Sequence, residues 1–241
     1  MAELTIAQIW RYPVKSLGGE RLDEVEITDT GLHGDRGWGL LHVASGKILT
    51  ARRRPELLFA SAKLVDGRPE IILPDGSVAG DDAALSAWLG EPIELRRAGA
   101  DTSGTFESPT DAEHEDAAPW VSWSGPTGSF HDSTKSRVSM VSTTSLGEWD
   151  IRRFRTNLVL DGSGEDDLVG SNVRIGSSAT LVMNKPIDRC VMITRPQPGL
   201  ERDLDVLRTI NAERGSNLSV GGNVLASGTI RLGDAVTAQP A

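Results

Sequence analysis

The chain has 241 residues, of which 38% are hydrophobic and 24% are charged, as is typical of a folded water-soluble protein of one large or two small domains. Its 25 lysines and arginines face 34 aspartates and glutamates, which gives a formal net charge of -9. This acidic surplus argues against non-specific binding to nucleic acid, and it predicts that a protein partner presents a basic face.

The cysteine content narrows the chemistry further, because Cys190 is the only cysteine in the sequence. One cysteine excludes an internal disulfide, a four-thiolate metal site and an iron–sulfur cluster held by cysteines of this chain, and it favours a reducing compartment. The N-terminal residues lack the basic and apolar segments of a signal peptide. No run approaches the ~20 apolar residues of a membrane span, so we expect a cytoplasmic protein.

Short strands dominate the predicted elements of the first half. Alternating or apolar runs bounded by turn residues predict strands over residues 4–10, 25–27, 38–43, 48–50, 62–65, 71–73 and 93–95. One short helix is predicted over residues 81–89, because Asp81 favours a helix start and Gly90 favours a helix end.

The stretch 98–130 differs in composition from both sides, since it is rich in Gly, Ser, Pro, Asp and Glu. It is either a linker or a long functional loop. Trp120 and Trp123 favour a loop that packs back on the body, where it can form the rim of a substrate site. We place the domain boundary here, which divides the chain into residues 1–98, 99–130 and 131–241.

The second half again consists mostly of short strands, with predicted strands over 138–141, 158–160, 173–175, 179–183, 218–225 and 229–232 and a helix over 202–214. Ser142, Thr143 and Ser145 precede a short predicted helix. Their hydroxyls suit either capping of that helix or binding of an anion at its N-terminus. Because no alternating βαβ pattern is present, we predict a mainly β fold with a few helices, arranged as two β-barrel-like halves.

The stretch around Cys190 is the candidate centre of the chemistry. Pro186 interrupts the apolar run before it, and Cys190 follows Arg189 at the start of a second β-like run. A cation beside a thiol favours the thiolate, which binds metals and attacks electrophiles. The alternative is a buried structural thiol, since free cysteines are among the most buried residues. Upstream, Arg155 and Asn157 are predicted to share one side of an extended segment, where they can face one ligand.

Several motifs in the chain occur together, in order, in one known family. The first half contains Tyr12-Pro13-Val14-Lys15-Ser16-Leu17 and Gly31-Leu32-His33-Gly34-Asp35-Arg36. The second half contains Arg153-Phe154-Arg155-Thr156-Asn157, Glu165-Asp166, Arg189-Cys190 and Gly228-Thr229-Ile230-Arg231-Leu232-Gly233-Asp234. Over nearly its whole length the chain resembles proteins with a MOSC domain, the C-terminal domain type of molybdenum-cofactor sulfurases, and especially the amidoxime-reducing components. The resemblance implies a MOSC N-terminal β-barrel domain followed by a MOSC β-barrel.

The resemblance also implies a molybdenum cofactor, in which a pterin dithiolene and one cysteine thiolate hold the metal. Carried onto this chain, the metal ligand and catalytic residue is Cys190, and the implied cofactor-binding residues are Lys15, Ser16, Arg36, Ser142, Thr143, Ser145, Arg155, Asn157 and Arg189. Such cations and hydroxyls suit the pterin phosphate. Taken singly, Lys15 also fits a surface lysine and Arg36 a pair with Asp35, while the hydroxyls fit helix capping.

The activity that the resemblance implies is molybdenum-dependent reduction of small N-hydroxylated compounds. The sequence has no Gly-x-Gly-x-x-Gly nucleotide fingerprint and too few cysteines for a cluster, so we expect electrons from a separate donor protein. The resemblance is incomplete at Ile187, where amidoxime reducers often carry a second cysteine. Two alternatives stay open: a non-catalytic carrier of molybdenum cofactor or sulfur, and a β-barrel protein with an inert thiol.

Overall fold

The computed structural model describes residues 4–111 and 117–239, and the described residues are mainly β-strand, as the sequence predicted. The first half contains strands β1 (Leu4–Arg11), β2 (Glu20–Leu22), β3 (Glu24–Thr28), β4 (Gly31–Leu32), β5 (Trp38–His42), β6 (Lys47–Ile48), β7 (Ser61–Val65), β8 (Arg68–Ile72), β9 (Val78–Ala79) and β10 (Ile93–Arg97). It also contains a 3₁₀ helix, Pro55–Phe59, and helix α1 (Asp82–Leu89).

The second half contains strands β11 (Ser103–Pro109), β12 (Trp120–Thr127), β13 (Val138–Ser142), β14 (Leu158–Asp161), β15 (Asn172–Ile175), β16 (Ala179–Asp188), β17 (Asn217–Ala226), β18 (Gly228–Arg231) and β19 (Ala235–Gln239). Its helices are α2 (Thr143–Leu146), α3 (Asp205–Arg214) and the 3₁₀ helices Ile151–Arg153, Glu165–Leu168 and Val191–Thr194. No helix in the described part of the chain is long and apolar enough to cross a bilayer.

Seven strands close into a barrel, in the order β14, β13, β17, β16, β15, β19 and β1, because β1 also pairs with β14. Neighbouring strands are antiparallel except for β13 and β14. Apolar side chains fill the interior, among them the fully buried Met140, Leu181 and Val220. The first strand of the chain therefore lies in a barrel whose other strands all come from the second half.

Six further strands of the first half form two small sheets, β6–β5–β10 and β7–β8–β9, around a second apolar core that includes Leu40 and Leu85. Helix α1 packs on this core and begins and ends where the sequence predicted. Asp81 accepts a hydrogen bond from the Ala84 amide at 2.9 Å, and Gly90 ends the helix with a φ of 74°. Strand β3 pairs with β18, so hydrogen-bonded strands join the two halves a second time.

The backbone around the cysteine differs from the prediction. Strand β16 continues through Pro186 to Asp188, and its register against β17 is irregular around the proline. The register shifts on both sides of Pro186, between Met183 and Lys185 and between Pro186 and Asp188, and a proline without an N–H donor is tolerated at such interruptions of the ladder. After β16, Cys190 precedes the 3₁₀ helix Val191–Thr194 and not a second β run.

The stretch predicted as a linker or loop forms an antiparallel hairpin of β11 and β12. Phe106 of β11 is fully buried, and its ring centroid lies 4.7 Å from that of Trp123 and 6.5 Å from that of Phe130. The stretch therefore packs back on the body, as its tryptophans favoured. Glycines such as Gly104 and Gly125 leave room for these rings, and their presence weakens the alternation by which a strand is recognised in sequence.

Candidate functional site

A cavity of about 480 Å³ opens where the two halves meet. Its lining includes most of the residues that the sequence singled out, namely Lys15, Ser16, Arg36, Arg155, Asn157, Arg189 and Cys190. Among the described residues, eight lysines and arginines line it but only three carboxylates, those of Glu107, Asp132 and Asp188. The cavity is thus locally positive in a protein of negative net charge, and it contains the only thiol of the chain.

Cys190 lies between the bulged end of β16 and the 3₁₀ helix that follows, and its side chain is half-buried. Its carbonyl accepts a hydrogen bond from the Ile193 amide at 3.2 Å, which fixes the backbone at this point. The thiol therefore lies on the wall of the cavity and not inside either apolar core.

Arg189 anchors the backbone next to the thiol. Its guanidinium donates to the carbonyls of Phe154 at 2.9 Å and Leu218 at 2.8 Å, and to the hydroxyl of Ser219 at 2.6 Å. Burial lowers the pKa of Arg189 to about 10, and the neighbouring Cys190 partly opposes this shift. Most N–H donors of the Arg189 guanidinium are bonded to protein groups. Arg189 is therefore better placed to position Cys190 than to bind a ligand through two free N–H groups.

Lys15 is not a surface lysine, since it is 5% exposed. Its ammonium donates to the Phe130 carbonyl at 3.1 Å and to the Asp132 carboxylate at 2.6 Å, and it lies 4.3 Å from the centroid of the Phe106 ring. Burial lowers the pKa of Lys15, and Asp132 opposes that shift. The Asp132 side chain is 74% exposed, so water screens this ion pair and the charge of Lys15 is only partly neutralised.

Arg36 and Arg155 form a cationic pair on the cavity wall. Arg36 forms an ion pair with Asp35, which was the alternative to cofactor binding given for this arginine in the sequence analysis. Arg36 also donates to the backbone carbonyl of Arg155 at 2.9 Å. Arg155 donates in turn to the carbonyl of Leu17. Burial, with the positive charge of Arg36 as the next contribution, lowers the pKa of Arg155 to about 10. Two like charges in a buried site repel each other, and a bound anion relieves that repulsion.

The backbone is strained at three positions along the cavity. Ser16, Arg36 and Arg155 have φ angles of 70°, 50° and 53°, a left-handed conformation that residues other than glycine seldom adopt. Each such residue costs on the order of 1–3 kcal/mol, and such strain concentrates at binding and catalytic sites. The left-handed turn at Arg155 also overturns the predicted extended segment, so Arg155 and Asn157 do not share a strand face.

Asn157 joins the two halves at the cavity wall. Its side-chain amide donates to the Trp10 carbonyl at 3.2 Å and to Asp35 Oδ2 at 3.1 Å, and its oxygen accepts from the Ser139 hydroxyl at 3.0 Å. Asp35 accepts in addition from the backbone amide of Tyr12 at 2.7 Å. Asn157 therefore has protein partners for its polar atoms, and it does not present the free amide that we expected.

Ser142, Thr143 and Ser145 do not line this cavity. The Ser142 hydroxyl is buried and accepts from the Ser145 amide at 3.1 Å, so it caps helix α2. The Thr143 hydroxyl accepts from the Gly162 amide at 3.1 Å, and Thr143 lines a separate cleft beside Trp10. Ser142 ends β13, and Thr143 and Ser145 lie in α2 outside the cavity. The structure therefore does not bring the three hydroxyls together with Cys190, and the capping alternative describes Ser142.

His131 and Tyr12 are among the residues of the site that were not predicted. His131 lines the cavity and is 5% exposed, and its Nε2 has no hydrogen-bond partner within the described residues and lies 3.8 Å from the Asp35 carboxylate. Burial, followed by the charge of Arg36, lowers the pKa of His131 well below its ordinary value, so the ring is neutral at pH 7. Tyr12 lies in the first motif, but its contacts with Arg36 and Arg155 depend on the fold and leave no signal in the sequence.

Chemically, the cavity combines one thiol with several buried cations. Arginines that are bonded to carbonyls keep their full charge, so they suit an oxyanion such as a phosphate. A thiolate suits a soft metal. No cluster of three or more His, Cys, Asp or Glu side chains that could hold a metal occurs in the described parts of the chain. A metal at Cys190 would therefore need further ligands from a cofactor, and the residues present fit an anionic cofactor that carries its own sulfur ligands.

Comparison with known protein families gives two adjoining matches. A profile described as the MOSC N-terminal beta barrel domain matches residues 3–122, and one described as the MOSC domain matches residues 127–237. The gap between the matches falls inside β12, so most of the hairpin lies in the first of them.

Comparison with individual proteins points the same way. Mitochondrial amidoxime-reducing component 1 of Mus musculus is 26% identical over 96% of this chain and 81% of its own length. The human protein of the same name is 41% identical over 61 residues, which are 24% of this chain and 18% of that protein. A molybdenum cofactor sulfurase of Solanum lycopersicum is 39% identical over 25% of this chain but only 7% of its own length.

One solved structure, that of the YuaD protein from Bacillus subtilis, aligns with 97% of this chain and 94% of its own, with 11% identity and a TM-score of 0.45. The two profile matches, by contrast, leave only a few residues of the chain uncovered, and they follow the order of the two halves seen in the fold. The chain therefore belongs to the MOSC family, with a MOSC N-terminal β-barrel domain followed by a MOSC domain.

Proposed function

We propose that this protein binds a molybdenum cofactor and is an oxidoreductase that reduces small N-hydroxylated compounds with electrons from a separate donor protein. The observation that carries the proposal is the position of the only thiol, Cys190, on a cavity whose lining is positively charged. Membership of the MOSC family supports a cofactor-related role, and the names of the amidoxime-reducing relatives supply the substrate class.

The site residues divide into ligands and positioning residues. Cys190 supplies the protein thiolate for molybdenum. Lys15, Arg36 and Arg155 supply positive charge for the pterin phosphate, and each charge-assisted hydrogen bond of this kind contributes about 1.5–3 kcal/mol. Arg189 is a positioning residue because its donors hold the backbone beside the cysteine.

The cofactor, when bound, supplies two-electron chemistry, and the protein supplies binding, orientation and electrostatics. Conversion of an N–OH group to N–H consumes two electrons and two protons and releases one water. The cavity wall keeps its cations buried among carbonyls and aromatic rings, where water competes less for a bound anion.

The test is to purify the full chain from a host that makes the cofactor and to measure molybdenum and the fluorescence of oxidised pterin. We expect about one of each per chain. Cys190→Ser should lose metal-dependent turnover, because a hydroxyl is a poor ligand for a soft site. Arg155→Ala should lose pterin on dialysis at least about tenfold faster, which corresponds to the loss of one charge-assisted hydrogen bond.

Arg174 provides the matched control, because it is an exposed arginine of β15 that does not line the cavity. Arg174→Ala should retain pterin like the wild-type protein. Wild-type protein that contains neither molybdenum nor pterin would falsify the proposal.

A second candidate function is the transfer of cofactor or sulfur through Cys190. The half-buried thiol and the short similarity to a molybdenum cofactor sulfurase favour it. Repeated turnover of an amidoxime by the loaded protein with a chemical reductant distinguishes the two functions, because a carrier reacts at most once per chain.

A further inference from the structure

Tyr12 is the residue on which the two arginines of the cationic pair converge. It follows β1 and is 1% exposed. The guanidinium carbon of Arg155 lies 4.4 Å from the centroid of the Tyr12 ring, and that of Arg36 lies 5.1 Å from it. The face of an aromatic ring attracts cations, most strongly where water is excluded. One buried ring thus attracts two guanidinium groups that repel each other.

The backbone of Tyr12 forms hydrogen bonds with Asp35 and with Arg36, one of the two arginines that contact its ring. Its amide donates to the Asp35 carboxylate at 2.7 Å, and its carbonyl accepts from the Arg36 amide at 2.7 Å. Both arginines extend toward the ring from left-handed backbone positions. Strain of this kind persists only where surrounding interactions hold the residue in place, and the ring is one interaction that both arginines share.

The hydroxyl of Tyr12 takes no part in this arrangement. It is buried and has no hydrogen-bond partner within the described residues. Burial raises the pKa of Tyr12 to about 12, although Arg155 and Arg36 both act to lower it. An unpaired buried hydroxyl is unfavourable, so the ring and not the hydroxyl accounts for the position of Tyr12 beneath the arginines.

We propose that Tyr12 is a positioning residue whose ring holds Arg36 and Arg155 together as a clamp for one phosphate-type oxyanion. Without the ring, the two guanidinium groups separate and an anion contacts one arginine instead of two. The inference rests on the proposed function where it takes the pterin phosphate as the natural oxyanion. The pairing itself is a property of this chain, and inorganic phosphate can probe it.

The experiment uses the fact that Tyr12 is the only tyrosine of the chain, so a tyrosine-specific label reports on this ring alone. The full chain with ¹³C-labelled tyrosine, free of cofactor, is titrated with inorganic phosphate at pH 7 while NMR and calorimetry follow binding. We expect one saturable shift of the ring signals with the dissociation constant that calorimetry gives. Chloride at equal ionic strength should not produce this shift.

Two variants separate the ring from the hydroxyl. Tyr12→Phe keeps the ring and removes the unpaired hydroxyl, so its affinity for phosphate should stay within about twofold of the wild type. Tyr12→Leu removes the ring and should weaken phosphate binding about tenfold. Rescue by phenylalanine distinguishes positioning by the ring from a general loss of packing.

A ring signal that stays unchanged while phosphate binds overturns the inference, and that measurement needs no variant. So does a folded Tyr12→Leu protein with wild-type affinity. If Arg155→Ala loses binding while Tyr12→Leu keeps it, the role of Tyr12 is wrong but the anion site and the proposed function stand. A wild-type chain that binds neither phosphate nor pterin contradicts both.

Discussion

The arginines of the cavity donate most of their hydrogen bonds to backbone carbonyls. Arg36 donates to the carbonyl of Arg155, Arg155 to that of Leu17, and Arg189 to that of Phe154. A carbonyl fixes a guanidinium in place but does not neutralise it, whereas a carboxylate does both. The Asp35 carboxylate offsets the charge of Arg36, whereas Arg155 and Arg189 keep theirs, so the cavity keeps an oriented positive charge that favours an anionic ligand over a neutral one.

His131 is the buried group of the cavity whose protonation matters most near neutral pH. The Asp35 carboxylate lies 3.8 Å from its Nε2, while Arg36, Arg137 and Lys15 are the cations whose charges act on the ring. Burial and these cations lower the pKa of His131 well below its ordinary value. In the unfolded chain the ring regains a pKa of about 6.5.

The pH dependence of stability follows from this difference. Below about pH 6.5 the unfolded chain binds a proton that the folded chain does not, so the free energy of unfolding falls as the pH falls, by up to about 1.4 kcal/mol per pH unit. Between pH 7.5 and 5.5 this contribution is about 1.4 kcal/mol in total, and His131→Gln should remove it from the pH dependence measured by urea unfolding. His33→Gln is the control, since His33 is exposed. Equal slopes for His131→Gln and the wild type would show that folding does not lower the pKa of His131.

Elements with local signals were predictable, and those that depend on tertiary contacts were not. Helix α1 was predicted because Asp81 and Gly90 mark its ends within the sequence itself. The course of β16 was mispredicted because Pro186 lies between two register shifts, which only the pairing with β17 defines. In the site, Cys190, Lys15, Arg36, Arg155 and Arg189 line one cavity, while their roles stay predictions. The hydrogen bonds of the Asn157 side-chain amide were not predictable, because its partners Trp10 and Asp35 are more than a hundred residues away in the sequence. The unpaired Nε2 of His131 was not predictable either, because its surroundings, such as Asp35, come from another part of the chain.

The end of β16 depends on Arg189, which joins it to β17 and to the turn before β14. Arg189→Lys keeps the positive charge but replaces the planar guanidinium, with its several nitrogen donors, by a single ammonium nitrogen. The carbonyls of Phe154 and Leu218 then cannot both keep a donor. A buried carbonyl left unpaired costs about 1–3 kcal/mol, and we expect a loss of that size in the free energy of unfolding. Faster alkylation of Cys190 should accompany it, because the backbone beside the thiol is no longer fixed.

The control for this substitution is Arg208→Lys. Arg208 pairs with Asp205 on α3, and both side chains are more than two-thirds exposed, at 73% and 81%. Exchange of an exposed partner of this kind should change stability by less than about 0.5 kcal/mol. If Arg189→Lys behaves like this control in both unfolding and alkylation, then Arg189 does not position Cys190.

On the scale of the whole molecule, the cavity belongs to both halves of the chain. Lys15 and Arg36 come from the first half, whereas Arg155 and Cys190 come from the second.

The positive charge of the cavity changes the expectation that was drawn from the net charge of the chain. A chain of net charge -9 suggested a partner with a basic face, but the lining of the cavity is rich in lysine and arginine. A donor that approaches this opening is better matched by an acidic face, since steering depends on the local field.

The source of electrons is the last prediction, and it also concerns the whole molecule. The sequence has no dinucleotide fingerprint, and 1 cysteine cannot hold an iron–sulfur cluster. Cofactor-loaded protein should therefore not reduce an amidoxime with NADH or NADPH alone, whereas reduced methyl viologen should start turnover.

With an acidic electron-carrier protein, the rate of turnover should fall as the salt concentration rises from 20 to 200 mM, because screening weakens docking at the positive opening. The rate with methyl viologen should not show this salt dependence. Cys190→Ser should be inactive with either reductant. Oxidation of NADH by the purified chain, in the presence of an amidoxime, would mean that the protein has its own nucleotide site and that the separate donor is not required.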